Sequence, residues 1–412
     1  MPVKLPCPAP AITPPSPPRI VAWLGLLLAL LLLAMLLGSI LWNVFTWPKN
    51  DPGFWRHVLG APFLGWCLLV GFRLYLHEVD VSRLTTREEA RRREFDEAVA
   101  FGAEPLAVLG AVYLCAMQSG GASGRIVKRE SVLRAHAPKP RLPPIRHSRL
   151  PLAEGAEPSR RHLEVFEALL SELGEPLRAL PHSVPLDVKL HVPGDADPAH
   201  LLDAWKAGWA NLGLRKVKTT LVPASEGLMR LDSWLDEHGG PTLEKFSLFV
   251  AIQLYVEPPE NSAEAAVALL LGWAPLAERH GLPSIAMLHR PLAGETAEIA
   301  SVIKTAALFG RAKPEELWHL WQSGLSKADK AALLKSGSDV ALGAAQTDEL
   351  AGVHDIDAAL GHSGVAAPWL STALAVENAG QSGEPQLIVC REDALRLAVV
   401  HPAAHRNERE MA

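Results

Sequence analysis

The middle of the chain contains the apolar run Leu248-Phe249-Val250-Ala251-Ile252-Gln253-Leu254-Tyr255-Val256. A short run that is apolar at successive positions predicts a strand covered on both faces, because a strand with one wet face alternates apolar and polar residues. Residues 106–117 and 265–271 form similar runs before and after it. We therefore expect a sheet that is largely buried.

Other strand-like and helix-like stretches alternate along the same part of the chain. The strand-like stretches lie at 186–192, 217–222, 284–289, 386–390 and 394–400. The helix-like stretches lie at 163–173, 198–212 and 227–237, and a further helix is predicted to begin at 324–329. This alternation predicts an α/β domain whose last two strands form a terminal hairpin.

The N-terminal part is different, because no charged residue occurs between Ile20 and Trp47. About 20 apolar helical residues cross the roughly 30 Å hydrocarbon layer of a bilayer, so this stretch is long enough to span it. A second apolar stretch, 58–76, contains Arg73 near its end, where a long side chain can reach the headgroups. A signal peptide would have a shorter apolar core of about 7–15 residues. The two stretches therefore predict a membrane hairpin.

Basic residues flank this hairpin unequally. Those that follow the second stretch are Arg83, Arg87, Arg91, Arg92 and Arg93. Lys4 and Arg19 precede the first stretch, and the connecting loop holds Lys49 and Arg56. Segments rich in Lys and Arg stay on the cytoplasmic side. We expect both termini in the cytoplasm and the hairpin in a bacterial inner membrane.

Composition excludes several classes of protein. The chain has 412 residues, and its 40 basic and 45 acidic side chains give a net charge of −5. This balance lacks the basic excess of a nucleic-acid-binding protein. The cysteines are scattered without CxxC spacing, which argues against a disulfide framework and against a zinc site. They are Cys7, Cys67, Cys115 and Cys390. Neither a metal nor another cofactor is expected.

The domain plan follows from these shifts in composition. We predict a disordered proline-rich tail over 1–19, the two-helix transmembrane hairpin over 20–77, a connecting helix over 78–103, a cytoplasmic α/β domain over 104–402 and a disordered tail over 403–412. The connecting helix is expected to start at a capping box, Thr86-Arg87-Glu88-Glu89. Six prolines between Pro138 and Pro158 predict a loop.

In the α/β domain, the order of motifs resembles the β-ketoacyl synthase branch of the thiolase-like family. The matching segments are 248–256, 262–271, the Ala-x-x-Arg-Gly-like turn at 277–281, the Gly-Leu-x-x-x-Asp helix start at 324–329 and Gly-His-x-x-x-Ala at 361–366. The resemblance implies a layered thiolase-like domain, in which a cysteine carries an acyl chain and two histidines assist condensation.

This chain departs from that chemistry. Ala224 takes the place of the cysteine, and its neighbour Ser225 has no visible base to activate its hydroxyl. The first histidine is expected near 338–349, which contains none. The second matches His362, but the lysine five residues before it is Asp357 here. The resemblance therefore predicts a pseudoenzyme without condensing activity, in which His362 is a neutral remnant held by backbone hydrogen bonds.

Three further patterns have both a functional and a plain structural interpretation. His354-Asp355-x-Asp357 with His362 has metal-ligand chemistry, although such residues are usually solvated. The Ser119–Gly124 run suits either a phosphate cradle or a turn. Trp318, His319 and Trp321 suit either a ligand shelf or an amphipathic core helix. The structural interpretation is favoured in each case.

Together these features predict a membrane-anchored scaffold or adaptor whose domain binds a protein partner and itself, as a homodimer. A secretion component or effector, such as that of a type VI system, is the expected partner. The alternative is a sensor of acyl thioesters or acyl carriers, or a divergent acyltransferase-like enzyme. That alternative requires an acyl tunnel and a basic docking patch.

Overall fold

The computed structural model describes residues 5, 17–45, 52–118, 120–136, 144–152, 158–194, 196–237 and 242–403. Two compact units are present, one formed by Leu5–Ala98 and the other containing Val99–Ala412. Most of the predicted 1–19 tail, the 404–412 tail and much of the proline-rich loop lie outside the described residues.

The helices begin and end as follows: α1 Ile20–Phe45, α2 Pro52–Gly102, α3 Ala122–Val127, α4 Pro158–Glu172, α5 Gly174–Ala179, α6 Pro198–Asn211, α7 Met229–Leu235, α8 Ala274–Arg279, α9 Ile299–Phe309, α10 Lys327–Asp339, α11 Gly343–Gln346, α12 Ile356–Ala359 and α13 Ala367–Ser382. The strands are β1 Leu106–Leu114, β2 Arg134–His136, β3 Ile145–Ser148, β4 Leu186–Val192, β5 Lys218–Pro223, β6 Phe246–Gln253, β7 Ser262–Ala263, β8 Ala265–Trp273, β9 Ala286–Leu288, β10 Leu292–Gly294, β11 His319–Ser323, β12 Val353–Asp355, β13 Gln386–Arg391 and β14 Leu395–Pro402.

The first unit contains α1 and most of α2, and both helices are long and apolar enough to cross a membrane. The indole of Trp66 donates a hydrogen bond to the carbonyl of Trp23 at 2.8 Å, which ties one helix to the other. The predicted helix start at Thr86 is wrong. The Thr86 hydroxyl donates to the carbonyl of Ser82 one turn earlier, and α2 continues unbroken from the apolar stretch to Gly102.

Eleven of the described strands form one mixed sheet, in the order β12-β11-β13-β14-β9-β1-β8-β6-β4-β5, with β10 beside β14. Its two halves repeat one pattern. In one half β5, β4 and β6 are parallel and β8 is antiparallel to β6; in the other β12, β11 and β13 are parallel and β14 is antiparallel to β13. The pairing of β1 with β9 joins the halves.

The sheet is buried on both faces, as the apolar runs predicted. All eight residues of β6 are buried, because the helices and loops on each side supply a separate hydrophobic cluster. The α13 helix packs in one cluster, and α4 and α6 pack in the other. A second small sheet pairs β2 with β3 and β3 with β7.

Most sequence-based expectations for this unit are confirmed, including the terminal hairpin of β13 and β14 and the α6 helix capped by Asp197. The predicted helix around Trp318–Trp321 is wrong. That segment is the buried strand β11, in which Trp321 is buried between β12 and β13 while Trp318, just before the strand, is exposed.

Candidate functional site

The turn after β5 carries Ala224 and Ser225, which the resemblance predicts at the place of the nucleophile. It is a single 3-10 turn, Ala224–Glu226, in which Ala224 and Ser225 are exposed. Its last residue, Glu226, forms an ion pair with Arg230 at 3.3 Å. The turn therefore presents a methyl group and a hydroxyl to solvent. An acyl group has no thiol here to which it can be attached.

Behind this turn lies the carboxylate of Glu392, from the turn that joins β13 to β14. Its Oε1 accepts a hydrogen bond from the Leu228 amide at 3.1 Å, and its Oε2 lies 3.2 Å from the Arg396 guanidinium. Burial raises the pKa of Glu392, whose side chain is 8% exposed. Gly227 has a φ of +37°, and any side chain there would overlap this carboxylate. The Glu392 contact therefore fills the space behind the turn.

His362 lies in a segment that is bound into the structure through its backbone. Its amide donates to the Asn261 carbonyl at 2.8 Å, and its carbonyl accepts from the Ala263 amide at 2.9 Å. Its ring Nδ1 lies 3.6 Å from Oδ1 of Asp357. Hydrogen bonding and charge from Asp357 raise the pKa of His362 against the opposing effect of desolvation. The ring partner is thus a carboxylate, whereas the sequence predicted a neutral ring held by backbone hydrogen bonds.

Asp357 also binds the loop that faces His362. Its Oδ2 accepts a hydrogen bond from the Gly324 amide at 2.6 Å. Gly324 has a φ of +70°, and a Cβ there would lie 2.8 Å from the Arg391 carbonyl oxygen and 3.5 Å from Cε1 of His362. The 338–349 stretch, in which a histidine was sought, instead forms the end of α10 and the whole of α11. The Gly324 turn approaches His362 and is held by Asp357.

The structure thus links the predicted residues in pairs. Asp357 and His362 contact each other, and Ala224 and Ser225 share one turn. Within the part of the chain that the structure describes, no hydrogen bond or ion pair joins one pair to the other. The β13–β14 turn lies between them, because Glu392 binds the start of α7 and Arg391 approaches Gly324.

Sequence analysis missed His191, which is buried at the end of β4. Its ring lies 4.7 Å from that of Trp369, which in turn stacks on Phe249 at 5.0 Å. Burial, with a smaller contribution from the charge of Arg230, lowers the pKa of His191 to about 3, so the ring is neutral. The alternation in 186–192 placed His191 on one face of a strand. It gave no sign that this face is covered by an aromatic stack.

The residues considered as metal ligands do not converge. His354 lies 2.8 Å from the ring of His319, Asp355 pairs with Lys330, and Asp357 faces His362. Burial lowers the pKa of His354 to about 3, with a further contribution from His319. Among the described residues, no group of three or more His, Cys, Asp or Glu side chains is arranged to hold a metal ion.

The turn considered as a phosphate cradle is filled by the chain itself. A carboxylate from α13, Glu377, accepts hydrogen bonds from the amides of Gly121 and Ser123 and from the Tyr113 hydroxyl. Burial acts to raise the pKa of Glu377, but these donors hold it below its ordinary value. The turn interpretation therefore fits the described residues 120–124. Ser119 lies outside them.

Comparison with solved structures decides the fold. One ketosynthase, from module 6 of the bacillaene synthase of Bacillus subtilis, superposes with a TM-score of 0.54 at 11% identity, over 74% of this chain and 73% of that one. An oxazolomycin ketosynthase domain of Streptomyces albus gives 0.50 at 13% identity, over 74% and 96% of the two chains. A β-ketoacyl synthase from Burkholderia phymatum gives 0.51 at 9% identity, over 73% and 100%.

The chain has a ketosynthase fold. The thiolase-like architecture implied by the sequence resemblance is therefore confirmed, and the unit from Val99 onward is the ketosynthase-like domain. No family model matches the chain, and no curated protein matches its sequence. Identities of 9–14% show the fold alone, and what this domain does depends on its own residues.

Proposed function

We propose that this protein is a non-catalytic, membrane-anchored scaffold whose ketosynthase-like domain binds another protein. The observation that carries the proposal is the turn after β5. It keeps its place at the end of a parallel strand but presents Ala224 at the surface. A fold that retains its sheet and lacks the group that bonds to substrate has lost the first step of condensation.

Ser225 does not restore that step. A serine hydroxyl becomes a nucleophile when a neutral base takes its proton. The ring of His362 faces Asp357 at 3.6 Å, and within the described residues no hydrogen bond joins it to Ser225. The buried histidine at the end of β4, His191, is neutral but is packed against Trp369 and Phe249. These contacts support a pseudoenzyme.

The membrane anchor in this proposal is the pair of helices α1 and α2. Both pass the length and hydropathy criteria for a span, and the exposed surface of α1 is almost wholly apolar. The excess of arginines after the second stretch supports a cytoplasmic location for both termini at a bacterial inner membrane. Anchoring would raise the effective concentration of the domain for membrane-bound partners.

Self-association would use the strand at the end of the sheet. The β5 strand is last in the strand order, so one side of its backbone has no partner among the described strands. An edge strand of this kind is a template for pairing with a second copy. Most of its side chains are exposed or half-buried, and we propose a homodimer joined through this edge.

The first test is capture of partners by the full-length protein from gently solubilised native membranes, with identification by mass spectrometry. We expect one recurrent protein partner and a dimer by chemical cross-linking. Thr220→Lys, on the β5 edge, is expected to abolish the cross-linked dimer, because a charge on an edge strand opposes pairing. Ser338→Lys adds the same charge on the exposed part of α10 and is the matched control.

Two outcomes would contradict the scaffold. Recurrent capture of an acyl carrier protein would favour the acyl-carrier alternative, and condensing activity of the purified chain would exclude a pseudoenzyme. Capture of a type VI secretion component or effector would assign the pathway. An unchanged dimer in Thr220→Lys would exclude the β5 edge as the contact.

A further inference from the structure

The arginines that follow the apolar part of α2 fall into two groups. Because a helix turns once in about 3.6 residues, Arg83, Arg87 and Arg91 follow one side of α2 at intervals of four. Arg92 and Arg93 instead form ion pairs one turn back, with Glu88 at 2.7 Å and Glu89 at 3.9 Å. Within the described ranges of the chain, the first three form no ion pair. Their positive charge is left uncompensated along one stripe.

A groove of about 530 Å³ lies along this stripe. Its end toward the apolar stretch is lined by Tyr75 and Val79, and the rest by the hydroxyl-bearing Ser82 and Thr86 and the guanidinium-bearing Arg83 and Arg87. One carboxylate, Glu78, also lines it. Two arginines against one glutamate leave the groove with a net positive charge. Glu78 lies with Tyr75 and Val79 at the end toward the apolar stretch, and both arginines lie farther along, so the cationic part of the groove is the part farther from that stretch.

We propose that this groove binds the headgroup of an anionic phospholipid. A guanidinium group donates paired hydrogen bonds to phosphate oxygens, and the Ser82 hydroxyl is a further donor for the headgroup. Tyr75 and Val79 contact the glycerol backbone and the first methylene groups, since an amphipathic aromatic ring suits the membrane interface. This inference rests on the proposed membrane anchoring, which brings the groove to the headgroup layer.

An anionic lipid is the occupant that both parts of the groove fit. A soluble anion would use Arg83 and Arg87 but leave Tyr75 and Val79 in water, whereas a neutral lipid would gain little from the unpaired guanidinium groups. Each arginine near an anionic membrane surface contributes roughly a fivefold gain in affinity. Removing both arginines of the groove should therefore weaken binding about thirty-fold.

The experiment titrates the full-length protein in detergent micelles with phosphatidylglycerol and, separately, with phosphatidylcholine, and counts bound lipids by native mass spectrometry. We expect wild type to prefer phosphatidylglycerol by about tenfold or more. The double variant Arg83→Gln/Arg87→Gln should lose that preference. Arg92→Gln/Arg93→Gln removes the same charge from ion-paired positions on the same helix and should keep it.

If both double variants lost the preference for phosphatidylglycerol equally, the proposal would be overturned, because only the total charge of the helix would matter. Equal affinity of wild type for the two lipids would overturn it as well. Extraction of native membranes with alkaline carbonate separates this failure from that of the anchoring. A chain that stays in the washed membrane but shows no lipid preference disproves the lipid site alone, whereas a chain released by carbonate disproves the anchor.

Discussion

The turn after β5 and the segment from Asp357 to His362 are the two places where the resemblance predicts functional positions, and this chain builds them differently. The first is an exposed 3-10 turn with no buried residue. The second is bound through the backbone of His362 to Asn261 and Ala263. Gly361, at a φ of +102°, lies so close to the Ser262 carbonyl that a Cβ would overlap it.

The difference lies in how much of the fold depends on each segment. The 357–362 segment holds β7 and the neighbouring loops together, so its glycine and backbone geometry have a structural task that is independent of chemistry. In the turn after β5, the side chains of Ala224 and Ser225 are exposed to solvent. The comparison predicts that substitutions in and around the second segment destabilise the domain and that substitutions in the first do not.

The largest effect is expected at the base of the helix that follows His362. Trp369→Ala removes a side chain that is 1% exposed and stacks on Phe249, and should lower the free energy of unfolding by about 3–5 kcal/mol. Urea unfolding of the full chain in detergent, followed by circular dichroism, measures it. The control Trp318→Ala removes the same side chain from a site that is 44% exposed. Comparable losses in the two variants would contradict the packing argument.

A smaller loss is expected at Gly361. Gly361→Ala forces an alanine into a left-handed conformation and against the Ser262 carbonyl, which should cost about 1–3 kcal/mol from backbone strain alone. The control is Gly380→Ala in α13, where a Cβ meets no atom within 4 Å, so the helix should be unaffected or more stable. Thermal unfolding midpoints would compare them. If Gly361→Ala had the same unfolding midpoint as wild type, the structural role inferred for this segment would be wrong.

The ion pair between Asp357 and His362 should give a pH-dependent effect below about 1 kcal/mol, because the imidazole is 48% exposed and solvent screens the pair. The folded pKa of His362 is raised, so the stabilisation is present below its ordinary value of about 6.5 and is lost as pH rises through the folded value. Asp357→Asn keeps an acceptor for the Gly324 amide and removes the charge. Its thermal midpoint should fall below that of wild type at pH 5.5 and match it at pH 9. In a His362→Gln background, Asp357→Asn should no longer lower the thermal midpoint at pH 5.5. If it still did, the ion pair would not be the source of the effect.

The smallest effect is expected in the turn after β5. Ala224→Cys restores a thiol on an exposed turn, and stability should change by less than about 0.5 kcal/mol. We expect no condensing activity with acyl and malonyl thioesters, because the 338–349 stretch supplies no histidine and the His362 ring faces Asp357. Activity in this variant, measured by release of carbon dioxide, would show that the rest of the site is intact and would contradict the scaffold. Ser225→Cys is the control for an exposed thiol one residue away.

The sequence predicted the buried sheet well, because runs such as Leu248–Val256 need no knowledge of their partners to indicate a covered strand. It also predicted the two apolar helices and, through the resemblance, the thiolase-like fold. It failed at Trp318–Trp321, where the spacing of large side chains resembles a helical face. There the pairing with β12 and β13 decides the outcome, and pairing between distant segments is invisible in local spacing.

The site was predictable only in part. Spacing from neighbouring motifs predicts that Ala224 and Asp357 depart from the family pattern, and this stays a prediction. The contact of Glu392 with Leu228, and that of Glu377 with the Gly121 turn, join residues far apart in the chain, and neither has a local signature. His191 was missed for a related reason. Its burial depends on Trp369, which lies in α13, far from β4 along the chain.

The pairing of the two halves through β1 bears on how the domain forms after synthesis. β1 is made early, yet its neighbours β8 and β9 come much later, and Tyr113 bonds to Glu377, 264 residues along the chain. Contacts of such sequence separation slow folding, because a long loop must close before they contribute. The apolar β1 is therefore expected to lack its pairing partners until β8 and β9 have been translated. A nascent chain of this protein is expected to be a substrate for chaperones until β14 has left the ribosome.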